Sequence, residues 1–373
     1  AQVVIGIRKF HPVLGWAMIA TRHLSVVTAR CAPRCFSTAA AVAAPARAAA
    51  EPSARILSAP LPGAEEMRQQ FEIDHQDEIG RGATSVVYGG TSLSTGQKVA
   101  VKQSPKGPRS GLPREWSLLN TVNHENVVKT FGIYGDDRNV FLVMERCTGG
   151  TLEARARLGS MPALAATQAI QEVLSAVSHL HSLRIVHRDI KMGNFVYSTS
   201  AATRRLKCID LGAASILPLG DATAKLHKWP RQATVGYVAP EVLRRLPYDE
   251  SADMFSVGAL FHTLLSGRPP QMQKGYLSGA GDCYKVDASV YTKLPHDSRE
   301  MLAAMLSENP SDRPSASECL SVKSIETAAP AISFLDVLFE AGWSSVSDAS
   351  GPSDPLLDIL MGVRPQAQTR VVP

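Results

Sequence analysis

The chain reads as an α+β protein of two lobes, a small β-rich one followed by a larger helical one, with a ligand cleft between them. Three observations carry that reading. Residues 71–145 break into short runs rich in β-branched and aromatic residues (FEIDHQDEI, SVVYGGT, KVAVKQ, NVVKTFGIYG, NVFLVME), punctuated by Gly, Ser and Asp. A single helical stretch, Arg114 to Thr121, interrupts them. After Pro162 helical patterns dominate: Ala163–His181 places Ile170, Val173, Leu174, Val177 and Leu180 on one face.

Composition bounds the rest. The 373 residues have room for one large two-lobed domain with tails, and an apolar fraction of 45% suits a well-filled core. The net charge of +5 is local: residues 1–50 hold six cations and no acid, which leaves 33 basic against 34 acidic residues elsewhere. The basicity therefore gives no support for nucleic-acid binding by the folded part. That leader, rich in Ala, Ser, Thr and Arg, has the composition of an organelle transit peptide, and an ordinary polar tail is the other reading. RCFS at Arg34–Ser37 suits a mitochondrial processing site and the Ala-rich run suits a plastid; without targeting the protein would be cytoplasmic. Phe10–Thr21 is too short for a membrane span, and Met254–Gly267 is expected to be a buried core helix. Six cysteines without metal-type spacing suggest free thiols in a reducing compartment and imply no zinc site. Residues 51–70, polar and Pro-rich, read as a linker.

Chemistry concentrates in a few strings. In IGRGATSVVYGG, Gly80 and Gly82 permit a tight turn between strands whose N–H groups approach phosphate oxygens; alone, such a hairpin is a weak signal. VAVK ends a strand on Lys102, one hairpin beyond that loop, and a lysine there needs a fixed counter-charge, for which Glu115 is the candidate. IVHRDIKMGNF is the strongest string. Asp189 can accept or orient a hydroxyl proton, Lys191 can offset charge on a transferring phosphoryl group, and Asn194 offers a neutral oxygen to a metal. Asp210 in CIDLG ends an apolar run, where a carboxylate is costly unless it meets a cation, magnesium being the natural one. TVGYVAPE at Thr234–Glu241 closes the segment, and Arg313 offers a cation to Glu241.

In this order, over about 250 residues, the strings resemble the protein kinase superfamily, serine/threonine type. The resemblance implies a bilobal protein kinase fold over residues 71–322, with an N-lobe at 71–146, a C-lobe at 147–322 and a C-terminal extension at 323–373. It implies ATP and Mg2+ as cofactors and a protein substrate. Ile79 and Val87 would sandwich adenine with Ala100 and Val196, and Gly80, Gly82 and Ser85 would cover the phosphates. Lys102, held by Glu115, would bind those phosphates; Glu145 to Cys147 would form the adenine hinge, with Met144 guarding the pocket behind it. Asp189 resembles the catalytic base with Lys191 beside it, Asn194 and Asp210 resemble magnesium ligands, and Asp253 would accept hydrogen bonds from the catalytic-loop backbone. Lys191 and Thr234 look like the serine/threonine class, with a faint similarity to calcium/calmodulin-dependent-like kinases. No EF-hand string is present, so calcium is not implied for this chain.

Three departures stand out: Ser85 replaces a third glycine, Leu211 the usual Phe after Asp210, and Phe255 a common Trp. Arg188 before Asp189 usually means that a phosphorylated loop docks there, yet no hydroxyl lies between Thr223 and Thr234, and Pro230 holds the common phosphosite position. Activation is therefore expected to be independent of loop phosphorylation or to use Thr223. The rival readings are a pseudokinase-type scaffold, disfavoured because Lys102, Asp189, Asn194 and Asp210 are all present, and a small-molecule kinase, disfavoured by TVGYVAPE. In the extension, Asp336, Glu340 and the lack of Lys or Arg between Lys323 and Arg364 exclude a basic calmodulin-type helix; a terminal helix and a docking or autoinhibitory segment are both open.

Overall fold

The computed structural model describes residues 61–326, apart from 108–109, 157–158, 200–203, 219–223, 230–233 and 274–283. The leader at 1–50, residues 51–60, most of the extension, Thr223 and Pro230 lie outside the described residues.

The β-type runs form one antiparallel sheet: β1 (Phe71–Arg81), β2 (Val86–Ser92), β3 (Lys98–Pro105), β4 (Thr130–Gly135) and β5 (Asn139–Glu145), in the order β1-β2-β3-β5-β4. Strand alternation gives the sheet two faces with different tasks. On β3 and β5, Ala100, Leu142 and Met144 join the main core on the cleft side, while Val99, Val101, Phe141 and Val143 join a second cluster on the outer side. The register sets Lys102 opposite Val87 on one side and Leu142 on the other, at the centre of the sheet.

Helix α1 (Ala64–Gln70) covers that outer cluster with Ala64 and Met67. Here the structure corrects the linker expectation: residues 64–70 are helical and packed. The segment is polar because only one narrow stripe of a two-turn helix meets the sheet. Helix α2 (Leu112–Leu119) starts two residues before the expected Arg114, with Pro113 in its first turn, where a missing N–H costs nothing. Its buried positions Leu112, Glu115, Leu118 and Leu119 follow helical spacing, so Glu115 is carried inward on the apolar face.

In the second lobe, α3 (Leu152–Ala156) precedes α4 (Ala163–Ser182), whose Ile170, Val173, Leu174, Val177 and Leu180 are all buried as the periodicity requires. Short strands β6 (Ile185–Val186) and β9 (Ser215–Ile216) pair, as do β7 (Phe195–Tyr197) and β8 (Leu206–Cys208), bracketing the chemical strings. Helix α5 (Pro240–Leu243) is followed by α6 (Ser251–Ser266), buried from Ala252 to Leu265 and ended by Gly267 in the left-handed region at φ 77°. That is the core helix expected from the apolar run. Helices α7 (His296–Met305), α8 (Ala316–Leu320) and α9 (Lys323–Glu326) complete the described chain. No helix among the described residues is long and apolar enough to cross a membrane. Cys147, Cys208 and Cys319 are free thiols.

One buried ion pair clamps this lobe. Arg313 donates to both carboxylate oxygens of Glu241 at 2.7 and 2.8 Å, with side-chain exposures of 0% and 5%. It also donates to the carbonyls of Ser251 and Ser307 and lies 5.1 Å from the Phe255 ring centroid. Phe255, where a Trp is common, is itself buried against Tyr284 at 5.4 Å. Removing one partner of such a pair leaves a buried charge uncompensated. We expect Arg313→Ala to lower stability by about 3–5 kcal/mol in chemical denaturation; a loss under ~1 kcal/mol would show that the pair is not the clamp.

Candidate active site

The two lobes meet at a chain of charges. Lys102, on β3, donates to Glu115 of α2 at 2.8 and 2.9 Å and to Asp210 at 3.2 Å. Glu115 is almost fully buried at 2% side-chain exposure, and Lys102 nearly so at 12%, whereas Asp210 keeps 39% open to the cleft. Burial pushes the Glu115 carboxyl up to about 7 against the pull of Lys102. The same burial opposes the Lys102 charge, but Glu115 and Asp210 outweigh it and raise the ammonium above its ordinary value. Burial likewise opposes the Asp210 charge, yet Lys102 and the Gly212 N–H, 2.7 Å from Oδ1, hold its carboxyl below the usual range. Leu211, beside it, is fully buried and keeps the apolar packing.

Below this chain runs the loop that carries Asp189. Asp253, on α6, accepts from the backbone N–H groups of His187 at 2.7 Å and Arg188 at 2.8 Å, and its Oδ2 lies 3.0 Å from His181 Nε2. Arg188 takes up the left-handed region at φ 69°. Burial opposes the Asp253 charge, but His181, His187 and the Arg188 N–H hold its carboxyl low. Asn194 donates through Nδ2 to the Asp189 carbonyl at 2.7 Å and to Oδ2 at 3.0 Å, leaving its amide oxygen as the acceptor for a cation. Lys191 Nζ lies 2.8 Å from Asp189 Oδ2, and Thr234 Oγ1 lies 3.5 Å from Oδ1.

Around the cleft, Ala100, Met144 and Val196 are buried, Val87 is half-buried and Ile79 is exposed at the rim. The glycine-rich turn is closed by the Gly82 N–H donating to the Ser85 carbonyl at 2.8 Å, and a side chain at Gly80 would meet nothing within 4 Å. Ser85 thus serves through its backbone, which explains why no glycine is needed there. The Glu145 side chain is turned to structure: it accepts from the Lys129 N–H at 2.9 Å and pairs with Lys207 at 2.8 Å, so only its backbone is left for a ligand. Burial pushes the Cys147 thiol up to about 12, keeping it neutral.

The structure therefore gathers Lys102, Glu115 and Asp210 in one cluster and Asp189, Lys191, Asn194 and Thr234 in another. The two are joined where the Ile209 N–H, beside Asp210, donates to the Asn194 carbonyl at 3.0 Å, while Glu241, Arg313 and Asp253 pair elsewhere in the second lobe. Sequence reasoning missed His181, 72 residues from its partner Asp253. It also missed Arg114, whose guanidinium donates to the Ala214 carbonyl at 2.5 Å.

Known proteins place this arrangement. The family model for the protein kinase domain matches residues 73–324. Calcium/calmodulin-dependent protein kinase type 1 of Caenorhabditis elegans is 31% identical over 281 residues, covering 71% of this chain and 76% of that protein. Myosin light chain kinase A of Dictyostelium discoideum is 34% identical over 203 residues, 53% of this chain and 67% of that protein. The chain belongs to the protein kinase family. Its activity is that of a protein serine/threonine kinase, phosphoryl transfer to proteins. These relatives also overturn the expectation about partners that set calcium aside. The worm relative's name couples calcium to calmodulin, and the lack of an EF-hand loop in this chain does not bear on that coupling. Asp336 and Glu340, on which the sequence-based exclusion of a calmodulin helix rests, lie outside the described residues.

The buried Glu115 makes the site sensitive to acid. Above about pH 7 the carboxylate holds Lys102; below it the proton replaces that partner. We expect kcat/KM for ATP to fall about tenfold from pH 8 to pH 6, and Glu115→Gln to flatten the profile at a lower plateau. An unchanged inflection in the variant would assign the titration to another group.

Proposed function

We propose that the cleft uses ATP with magnesium, and that Asp189 receives the proton of a serine or threonine hydroxyl during transfer. The observation that supports this best is the closed charge chain Glu115–Lys102–Asp210, linked through the Ile209 N–H and Asn194 to the Asp189 carboxylate. A magnesium ion fits the donors: an ionised, partly open Asp210 carboxylate and the amide oxygen of Asn194 are hard oxygens, and magnesium takes few protein ligands because it keeps waters and phosphate oxygens. When bound, it would neutralise charge on the phosphates.

The chain's own residues do the rest. Lys102, fixed by Glu115, holds the α- and β-phosphates, and the turn at Gly80–Ser85 covers them with backbone. Ala100, Met144 and Val196 give the base an apolar slot, and the Glu145–Cys147 backbone supplies its hydrogen bonds. Asp189 orients the acceptor hydroxyl and takes its proton as the oxygen bonds to the γ-phosphorus and the bond to ADP breaks. Lys191 offsets charge on the group in transit, and Thr234 steadies the Asp189 carboxylate.

Two measurements test this reading. Asp189→Asn should lower kcat on a general protein acceptor such as myelin basic protein by roughly 10²–10⁴ with nucleotide affinity kept, and chelation of magnesium should stop transfer by the wild type. Equal labelling by both chains would return the scaffold reading. Calmodulin enters as a regulator on the name of the worm relative. Calcium and calmodulin together should raise activity, and calcium chelation should reverse the rise; activity indifferent to both would remove calmodulin.

A further inference from the structure

Arg188 precedes the catalytic-loop aspartate, yet among the described residues every hydrogen-bond partner of its guanidinium is neutral. Its Nε donates to the Ala213 carbonyl at 2.7 Å and its Nη2 to the Ala214 carbonyl at 3.3 Å, at the start of the segment that leads to Thr234. Its Nη1 donates to the Lys228 carbonyl at 2.9 Å, in the middle of that segment, and to the Tyr248 hydroxyl at 3.3 Å. Tyr248 in turn donates to the same Lys228 carbonyl at 2.7 Å. Both lone pairs of that carbonyl are therefore engaged, one by the guanidinium and one by the phenol.

The Tyr248 ring is 2% exposed, so its hydroxyl has a fixed position. Its backbone extends the same tie: Leu226 N–H donates to the Tyr248 carbonyl at 2.6 Å and Tyr248 N–H to the Leu226 carbonyl at 3.2 Å. Next to it, Lys225 pairs with Asp249 at 2.7 Å. Residues 225–228 are thus stitched to the turn before α6, and α6 carries the Asp253 that holds Arg188. Among the described residues these ties close through one scaffold, with no anion at the Arg188 guanidinium.

We propose that Tyr248 is a positioning residue that fixes the activation segment by bridging Arg188 and the Lys228 carbonyl, so that the kinase needs no phosphate on that segment. The proposal rests on the kinase reading above and adds its regulation. Of the two routes the sequence left open, it selects independence over Thr223. A phosphate arriving at Arg188 would have to displace the carbonyls of Ala213, Ala214 and Lys228 from donors they already hold. Arg114 adds a second guanidinium at the Ala214 carbonyl, so the start of the segment is tied to α2 as well.

The test uses the full chain treated with a broad-specificity phosphatase, with its intact mass checked for the unmodified value. Transfer to myelin basic protein is measured before and after treatment, for the wild type and for Tyr248→Phe, together with the unfolding midpoint and hydrogen exchange over residues 224–229. The expected result is a wild type within about twofold of its untreated rate, and a Tyr248→Phe chain with kcat/KM for the protein substrate down roughly tenfold. In that variant KM for ATP and the midpoint hold while exchange over 224–229 quickens. A merely structural tyrosine would move the midpoint and leave the protein-versus-ATP split unchanged, which would overturn the proposal. So would a wild type that loses activity with its phosphates and regains it on rephosphorylation. If Tyr248→Phe does not fold, the treated wild type decides alone, by keeping or losing both its rate and its slow exchange over 224–229. An untreated wild type that labels no protein would instead overturn the kinase reading itself.

Discussion

The backbone N–H groups of His187 and Arg188 both donate to the carboxylate of Asp253, and Arg188 adopts a left-handed backbone in doing so. A buried carboxylate requires donors, and a non-glycine residue at φ 69° requires compensation. Each need meets the other here. Asp253 sits on α6, the most deeply buried helix, so the tie refers the catalytic loop to the stiffest part of the lobe. Asp189, Lys191 and Asn194 follow within six residues of Arg188, and the contacts of Lys191 and Asn194 to Asp189, at 2.8 and 3.0 Å, depend on where that backbone is held.

The second constraint joins the lobes. Glu115 arrives on α2, Lys102 on the central strand of the sheet and Asp210 from the other lobe, and one ammonium meets both carboxylates. Lys102 is kept charged by two acids rather than one, so loss of Glu115 would leave it attached to Asp210 but no longer to the helix. The position of α2 and the electrostatics of the cleft are in that sense one variable.

Much of this could be read from the residue order. Glu115 with Lys102, and Glu241 with Arg313, were legible as candidate pairs: a lysine one hairpin beyond the glycine turn needs a fixed counter-charge, and Arg313 is a cation on offer to Glu241. Helices α4 and α6 were legible from the length and periodicity of their apolar residues. What was hidden has a physical reason in each case. Helix α1 shows only Ala64 and Met67 to the sheet, and the face it meets is assembled from Val99, Val101, Phe141 and Val143, far along the chain. His181 finds Asp253 across 72 residues with no local pattern to announce it. The acceptors of Arg188 are mostly backbone carbonyls, which every residue carries and no letter marks. The Glu145 side chain turned away from the cleft because Lys207, on the neighbouring β8, lies within reach.

The seating of α1 has a consequence for where the folded unit begins. The match to known kinases starts at residue 73, but among the described residues the helix that packs on the outer sheet face lies upstream of it. A protein trimmed to that edge would present Val99, Val101 and Phe141 to water on a surface flanked by the edge strand β1, a combination that promotes self-association of sheets. Ala64 and Met67 thus act as a lid on stickiness, and the natural cut lies before the helix rather than at the first strand.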